Sequence, residues 1–540
     1  VKFLYKTLFL LVSIAFIFSC AKTGRPDGGP KDEDAPLFVV SKPPYKTINF
    51  KSKEVELTFN EFIKLKDLNK QLVVSPPLKN PLLVTPQGTA SKFLKIKILD
   101  TLALNTTYIF NFGNAIEDNN ESNKLEGFKY IFSTGTYIDS LKTSGTVIDA
   151  FFNKKPKKTN IVLYRIDSTF TDSIIYNKKP NYVTTALDTT KFEFTNLKEG
   201  KYLLLALEER SSDYIFNPKV DKIGFYADTI TLPKDSVITK PIKLFKEIQP
   251  YRFNRAKEVS KGKIQFGYEG EIKNLKVELL SKVTDSFKSA SRFEMDKDTL
   301  NYWYTPIAVD SLNFVVSNDI FLDTVTVKFR KNKLDSLKLS PSTSGTLHLR
   351  DTFFIKSNNP IVKIDTSKII FVNKDTLRVK YSNYISIKEN KIGFLFDKNQ
   401  KENYNLKAFP GGFTDIYNIK NDSINYNFKT VELEDYGRIT LNVINTTSKN
   451  IIIDLLSGKE NKEIIERKYV NTSETLVFNL LEPKTYTIRA IVDDNNNRIW
   501  DTGNYLLKKL PETIIYYKEE LKVRANYFLE GNTFTIKKSD

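Results

Sequence analysis

Val55-Glu56-Leu57-Thr58-Phe59 alternates apolar and polar residues, and Phe93-Leu94-Lys95-Ile96-Lys97-Ile98 and Thr324-Val325-Thr326-Val327-Lys328-Phe329 do the same. A period of two sends successive side chains to opposite faces of an extended chain, so each stretch predicts a strand with one buried face. Long runs with the three-to-four spacing of an amphipathic helix are nearly absent. Turn residues recur roughly every ten positions, which favours sandwiches over one large sheet. The fold class is therefore all-β, with tandem β-sandwich domains.

Composition agrees with a folded, modular chain. Its 540 residues exceed what one core organises, since domains hold about 100–200 residues each. Hydrophobic content of 40% and aromatic content of 13% supply ample surface to bury. Formal net charge is +18, but lysines alternate with acids, as in Lys51-Ser52-Lys53-Glu54, and no basic block or nucleic-acid motif stands out. The excess reads as solvated lysines, or else as a basic surface for anionic lipid or polysaccharide.

At the N-terminal side, Lys2 and Lys6 precede an apolar run from Leu8 to Phe18 that ends in Ile17-Phe18-Ser19-Cys20. This is the layout of a secretory signal, and the run is short for a membrane span. Its end resembles the lipobox of bacterial lipoproteins, which implies that Cys20 becomes the lipidated first residue of the mature chain. Ala21 to Pro36, rich in Gly, Pro and charge, reads as a flexible tether. Cys20 is the only cysteine, so no disulfide is expected and stability must come from packing.

Internal similarity is the strongest signal beyond the tether. Phe194-Thr195-Asn196-Leu197, Tyr202 and Ala206 match Phe478-Asn479-Leu480-Leu481, Tyr486 and Ala490 at a constant offset of 284. Gly145-Thr146-Val147-Ile148 and Gly437-Arg438-Ile439-Thr440 are the candidate opening strands. The two copies resemble transthyretin-like or carboxypeptidase-regulatory-like β-sandwiches, although Pro483-Lys484 stands where the first copy has Glu199-Gly200. Such domains are non-catalytic spacers or adhesive units.

Residues Val55 to Glu61, Ser75-Pro76, Leu104 to Tyr108, Ile116-Glu117-Asp118 and Phe132 to Gly135 resemble the bacterial Ig-like domain of S-layer and surface proteins. The expected order is a signal peptide at 1–19, lipidated Cys20 and tether at 20–36, and an Ig-like domain at 37–136. A transthyretin-like sandwich at 140–245, an unassigned β module at 246–350, a second Ig-like domain at 351–434 and a second transthyretin-like sandwich at 435–540 follow. The layout resembles Ig-like-domain lipoproteins of Bacteroidota. It implies an outer-membrane lipoprotein, facing the periplasm or the surface, with a structural, adhesive or assembly-accessory role. Its partners would be the membrane through the anchor, and envelope proteins or polysaccharide, with no nucleic acid.

Candidate chemistry is sparse. Asp493, Asn495, Asn497 and Asp501 place side-chain oxygens at positions 1, 3, 5 and 9 of a loop, a spacing that suits calcium. Arg498 and Asn504 stand where an EF-hand has Gly and Glu, and a polar turn explains the same residues. The equivalent loop of the earlier copy offers Glu209, Ser211, Asp213 and Asn217. His348 is the only histidine, which excludes a structural zinc site of the usual cysteine and histidine kind, and Thr346-Leu347-His348-Leu349-Arg350 places it in an alternating strand, as a residue facing solvent or neighbouring side chains rather than as a catalytic base. No catalytic residue and no other cofactor is assigned. A carboxylate-only hydrolase would need a pair that no spacing identifies among 64 acids. Tyr302-Trp303-Tyr304 is the best aromatic cluster for a carbohydrate-binding face, against a core Trp flanked by surface tyrosines. Asp followed by Ser or Thr, as in Asp100-Thr101, Asp228-Thr229 and Asp375-Thr376, reads as turn grammar and also resembles a Bacteroidota O-glycosylation sequon.

Overall fold

A computed structural model describes residues 32–272, 274–294, 297–319, 321–330, 332–458, 460 and 463–537. Cys20, the expected signal segment and the tether up to Lys31 lie outside the described residues. Tandem β-sandwiches make up the rest, and the one α-helix among the described residues is the single turn Leu68–Gln71. No described helix is long and apolar enough to cross a membrane.

The first sandwich grows from the alternating stretch around Leu57. Strand Glu54–Leu65 runs antiparallel to Phe38–Lys42 on one side and Ser91–Lys97 on the other. Val55, Leu57 and Phe59 point inward and meet Tyr108, Phe110, Tyr130 and Phe132 from the opposing sheet. Strand Thr107–Gly113 centres that sheet, between Val73–Ser75 and Phe128–Ser133. Burying each such side chain contributes about 1.5–3 kcal/mol, which is how a chain without disulfides holds together.

Segments 141–244 and 437–536 share one topology. In the first, Leu141–Asp149 pairs antiparallel with Lys191–Leu197 and parallel with Ile242–Leu244. The facing sheet orders Tyr182–Leu187, Lys158–Arg165, Gly200–Glu208 and Lys222–Phe225. In the second, Gly437–Asn445 pairs antiparallel with Glu474–Leu481 and parallel with Phe528–Ile536. Its facing sheet orders Glu463–Val470, Asn450–Ser457, Thr485–Asp493 and Ile514–Tyr516.

The residues that match at an offset of 284 have matching physical jobs. Phe194 and Phe478, Leu197 and Leu481, Tyr202 and Tyr486, and Ala206 and Ala490 are all buried. Asn196 and Leu480 both take positive φ inside an irregularity of the edge strand, after which pairing resumes at Leu197 and Leu481. The Tyr202 hydroxyl donates to the Lys198 carbonyl at 2.9 Å, and the Tyr486 hydroxyl donates to the Glu482 carbonyl at 2.8 Å. Each buried ring therefore carries its polar tip to a carbonyl four residues upstream.

Between the copies lie two further sandwiches. One pairs the sheet Arg252–Ser260, Lys263–Glu269, Thr299–Tyr304 and Ser289–Glu294 with a sheet centred on Ser311–Ser317. The other packs Phe353–Ser357 and Lys391–Phe396 against Ile369–Asn373, Asn403–Ala408 and Ile424–Lys429. The expectation of surface tyrosines flanking Trp303 is corrected here. Tyr302 and Tyr304 lie in the sandwich core with Phe266 and Phe314, while Trp303 is buried on the opposite face under the Lys263 ammonium. With exposures of 6%, 1% and 1%, the three rings offer no platform to a sugar.

The equivalent tyrosines give a graded test. Tyr486→Phe, which only leaves the Glu482 carbonyl unpaired, should cost about 1 kcal/mol. Phe478→Ala, which opens a cavity, should cost about 3–5 kcal/mol. Denaturant unfolding followed by hydrogen exchange in residues 437–536 measures both, and equal losses would contradict this account of the core.

Candidate functional site

Asp454 is fully buried in the strand Asn450–Ser457 of the last sandwich, where a lone carboxylate would be costly. Two arginines from neighbouring strands neutralise it. Arg467 Nε lies 2.6 Å from Oδ1 and Arg489 Nη2 lies 2.6 Å from Oδ2. Hydrogen bonding to Asp454 holds the Arg467 guanidinium even more firmly protonated than usual. Arg489 is almost wholly buried, and its guanidinium plane is thereby fixed.

On that plane sits a ring from a different sandwich. The Arg489 guanidinium carbon lies 4.4 Å from the ring centre of Phe151, and Trp500 meets the same ring edge-on at 4.8 Å. Tyr516 donates its hydroxyl to the Phe151 carbonyl at 2.7 Å. Phe151 is presented by a turn after strand Leu141–Asp149, where Asp149 Oδ1 accepts the N–H groups of Phe151 and Phe152. Lys222 holds the other oxygen of Asp149 at 2.6 Å.

The contact is reciprocal. In the first copy Ala206 pairs with Gly224, 18 residues on, whereas in the second Ala490 pairs with Ile515, 25 residues on. The second connection is thus seven residues longer, and it carries Tyr505. That side chain is fully buried among Val162, Tyr164, Leu205 and Phe225 of the first copy, with its ring 5.7 Å from that of Phe225. Glu247 accepts the Tyr505 N–H at 2.6 Å, and Asp172 accepts its hydroxyl and pairs with Lys508. At Gly503 a Cβ would meet the Phe245 ring at 2.6 Å, so only glycine lets the loop pass that close.

Glu512 closes the neck of this loop. Its carboxylate accepts the N–H groups of Asp494 and Asp501, and the Trp500 indole N–H donates to its carbonyl at 3.1 Å. Burial pushes the Glu512 carboxyl above the usual carboxylate range, opposed by those two N–H donors. Burial does the same to Glu247, against the Tyr505 N–H.

The candidate calcium residues lie in the same loop. Asp493 accepts the N–H groups of Asn497 and Arg498 on its two oxygens, and the side-chain oxygens of Asn495 and Asn497 accept the N–H groups of Asn497 and Ile499. The amides of Asn495 and Asn497 donate to Asp501. The two amides thus meet at Asp501 while Asp493 closes the turn on backbone N–H groups, and Arg498 takes the positive φ that glycine would otherwise supply. Among the described residues no group of three or more His, Cys, Asp or Glu forms a metal cluster, so any cation here would rest on two carboxylates and two amides. The earlier loop is not arranged alike: Glu209 bonds Asn160 and Tyr214, while Asp213 and Asn217 each cap their own turns.

Consecutive sandwiches also touch. Tyr417 donates to the Gly262 carbonyl at 2.8 Å, Lys219 pairs with Glu269 at 3.7 Å, and Arg350 pairs with Glu466 at 3.0 Å. His348 is corrected from a strand residue to a junction residue. It lies outside any strand, with Nε2 2.7 Å from the Leu480 carbonyl oxygen and its ring 4.7 Å from that of Tyr436. With the Phe151 and Tyr505 contacts added, the sandwiches of residues 141–536 close into a ring. Sequence reasoning missed Phe151, Tyr505, Glu247 and the Asp454 pair; the one signal for them was the extra length of the second loop.

Residues 32–134 match the bacterial Ig-like domain family. The class defined here is thus a tandem β-sandwich protein that carries a bacterial Ig-like domain. No curated protein matches the chain. Among solved structures, domains 1–6 of the surface layer protein SbsC are 13% identical over 90% of this chain and 67% of that chain, with a TM-score of 0.16. The I9–I11 tandem of titin is 8% identical over 52% of this chain and 100% of that one, with a TM-score of 0.12. The alpha-2-macroglobulin of E. coli is 7% identical over 88% and 33%, with a TM-score of 0.12. At such scores these likenesses carry no argument about function.

Removing either half of the reciprocal contact should open the ring. Phe151→Ala and Tyr505→Ala should each raise the radius of gyration in solution scattering and speed hydrogen exchange across Thr502–Lys509, with the sheets still protected. Unchanged scattering in the double variant would show that the contact does not hold the ring. Asp454→Ala, which strands Arg489 without its counter-charge, should be harsher, at about 3–5 kcal/mol of stability.

Proposed function

We propose that this protein is a lipid-anchored scaffold of the bacterial envelope, held to the outer membrane through Cys20 and presenting a closed ring of β-sandwiches. It acts by structure and binding, with no catalytic role. The observation that carries this reading is the contact between the two matching segments, which turns a string of modules into one body. A rigid body on a tether keeps fixed distances between its exposed loops, which an assembly or adhesive component needs and a flexible string lacks. The bacterial Ig-like match at 32–134 supports an envelope or extracellular setting. The carbohydrate-binding alternative loses its best support, because the Tyr302-Trp303-Tyr304 rings are buried.

Calcium belongs to this reading as a strut. The loop of Asp493, Asn495, Asn497 and Asp501 carries Trp500, which rests on Phe151, so a cation there would stiffen the ring-closing contact. Envelope proteins or polysaccharide are the proposed partners.

Two measurements test these proposals. Cells fed a fatty-acid analogue should label the wild-type chain and leave Cys20→Ser unlabelled; label that persists in the variant removes the anchor. Calorimetry with calcium should show one binding event that Asp493→Ala abolishes, and a flat wild-type trace removes the strut.

A further inference from the structure

The first sandwich and the first copy of the repeat enclose a cleft of about 320 Å³. Its floor is aliphatic. Leu68, Leu72, Val74, Leu78 and Leu82 are each only partly buried against the core of the first sandwich, and all five line the cleft. The lip beside them is anchored, since Asp100 accepts the N–H groups of Lys79 and Asn80 and the side-chain amide of Asn80. The two sandwiches are also joined here. Val183 donates its N–H to Ser75 Oγ at 3.1 Å, and Lys179 donates to the Leu78 carbonyl at 2.6 Å. The cleft is therefore built into the fold.

The far wall carries Tyr214 and Lys158. Lys158 opens the strand Lys158–Arg165 and is half-buried, and its ammonium forms no hydrogen bond or ion pair among the described residues. Burial pulls its ammonium below the ordinary lysine range, with Lys70 adding to the effect and Glu209 opposing it. The acids nearby are engaged in their own loop. Glu209 accepts from the Asn160 amide and the Tyr214 N–H, and Asp213 accepts the Ile215 N–H. Lys79 and Lys179 add positive charge to the lining, against the one carboxylate of Asp213.

We propose that this cleft binds an alkyl chain with a single anionic headgroup, the chain on the leucine floor and the head on Lys158. Five aliphatic side chains in one floor suit an alkyl chain better than a sugar, whose flat faces call for a platform of aromatic partners where this cleft has the single ring of Tyr214. The volume lies at the small end of the range for small-molecule sites, which suits one short chain rather than a peptide. A half-buried ammonium that feels Glu209 only at a distance gains from an anion the direct charged contact that Glu209, held by Asn160 and Tyr214, does not make.

Decanoate below its micellar concentration is the probe, titrated into the full chain by calorimetry, with decanol and decyltrimethylammonium as head-group controls. One decanoate should bind, the cationic amphiphile should not, and Lys158→Met should weaken decanoate by about tenfold or more while leaving decanol unchanged. Because the Lys158 ammonium makes no direct ion pair and its burial is costly, the melting temperature of Lys158→Met should not fall. Leu78→Asp, which places a charge on the floor, should abolish binding of both decanoate and decanol. Absence of decanoate binding, equal affinity in Lys158→Met, or preference for the cation or for an acidic peptide would overturn the proposal.

Discussion

The docking of Phe151 that helps close the ring depends on the guanidinium of Arg489 being held still. Asp454 fixes it from beneath and Phe151 of another sandwich lies on top, so one buried charge orients the plane on which a distant segment docks. A flexible cation at the same place would lose its order before it gained the ring. The pair with Asp454 adds little stability over an apolar substitute, since the cost of burying charge offsets most of the attraction. What it gives is geometry, and geometry decides whether Phe151 has a surface to meet.

The return contact follows a different logic. Tyr505 enters the first copy as a core side chain, sharing its outer sheet face with Val162, Leu205 and Phe225. A sheet face of that size would be an exposed apolar patch if uncovered, and chains avoid such patches. Most of it is covered by the sandwich's own loops, through Ile175 and Phe216, and Tyr505 joins the same cluster from the other copy. The two matching segments are thus partners as well as relatives, and the seven extra residues of one supply the side chain that the other receives.

Alternation in stretches such as Val55 to Phe59 made the all-β class legible, because a half-buried strand has no other way to sort its residues. The matches at an offset of 284 were equally legible, since buried Phe, Leu, Tyr and Ala positions tolerate little change of volume. Tyr302 and Tyr304 were misjudged because alternation tells which residues share a face and not whether the other face is covered as well. His348 failed for a related reason: Thr346 to Arg350 alternates, but the chain there makes only an isolated bridge and then turns toward Leu480. The Asp493 loop was visible as a cluster of oxygens. Its position beneath the ring-closing contact was not.

Local periodicity and side-chain volume are enough to specify the strands, their inward faces and the duplication. That the chain closes on itself, that Phe151 and Tyr505 are anchors, and that a lysine stands half-buried over a leucine floor follow from packing in three dimensions. Those features join residues far apart in the chain. They depend on which surfaces meet once each sandwich has formed, and no local pattern encodes that meeting.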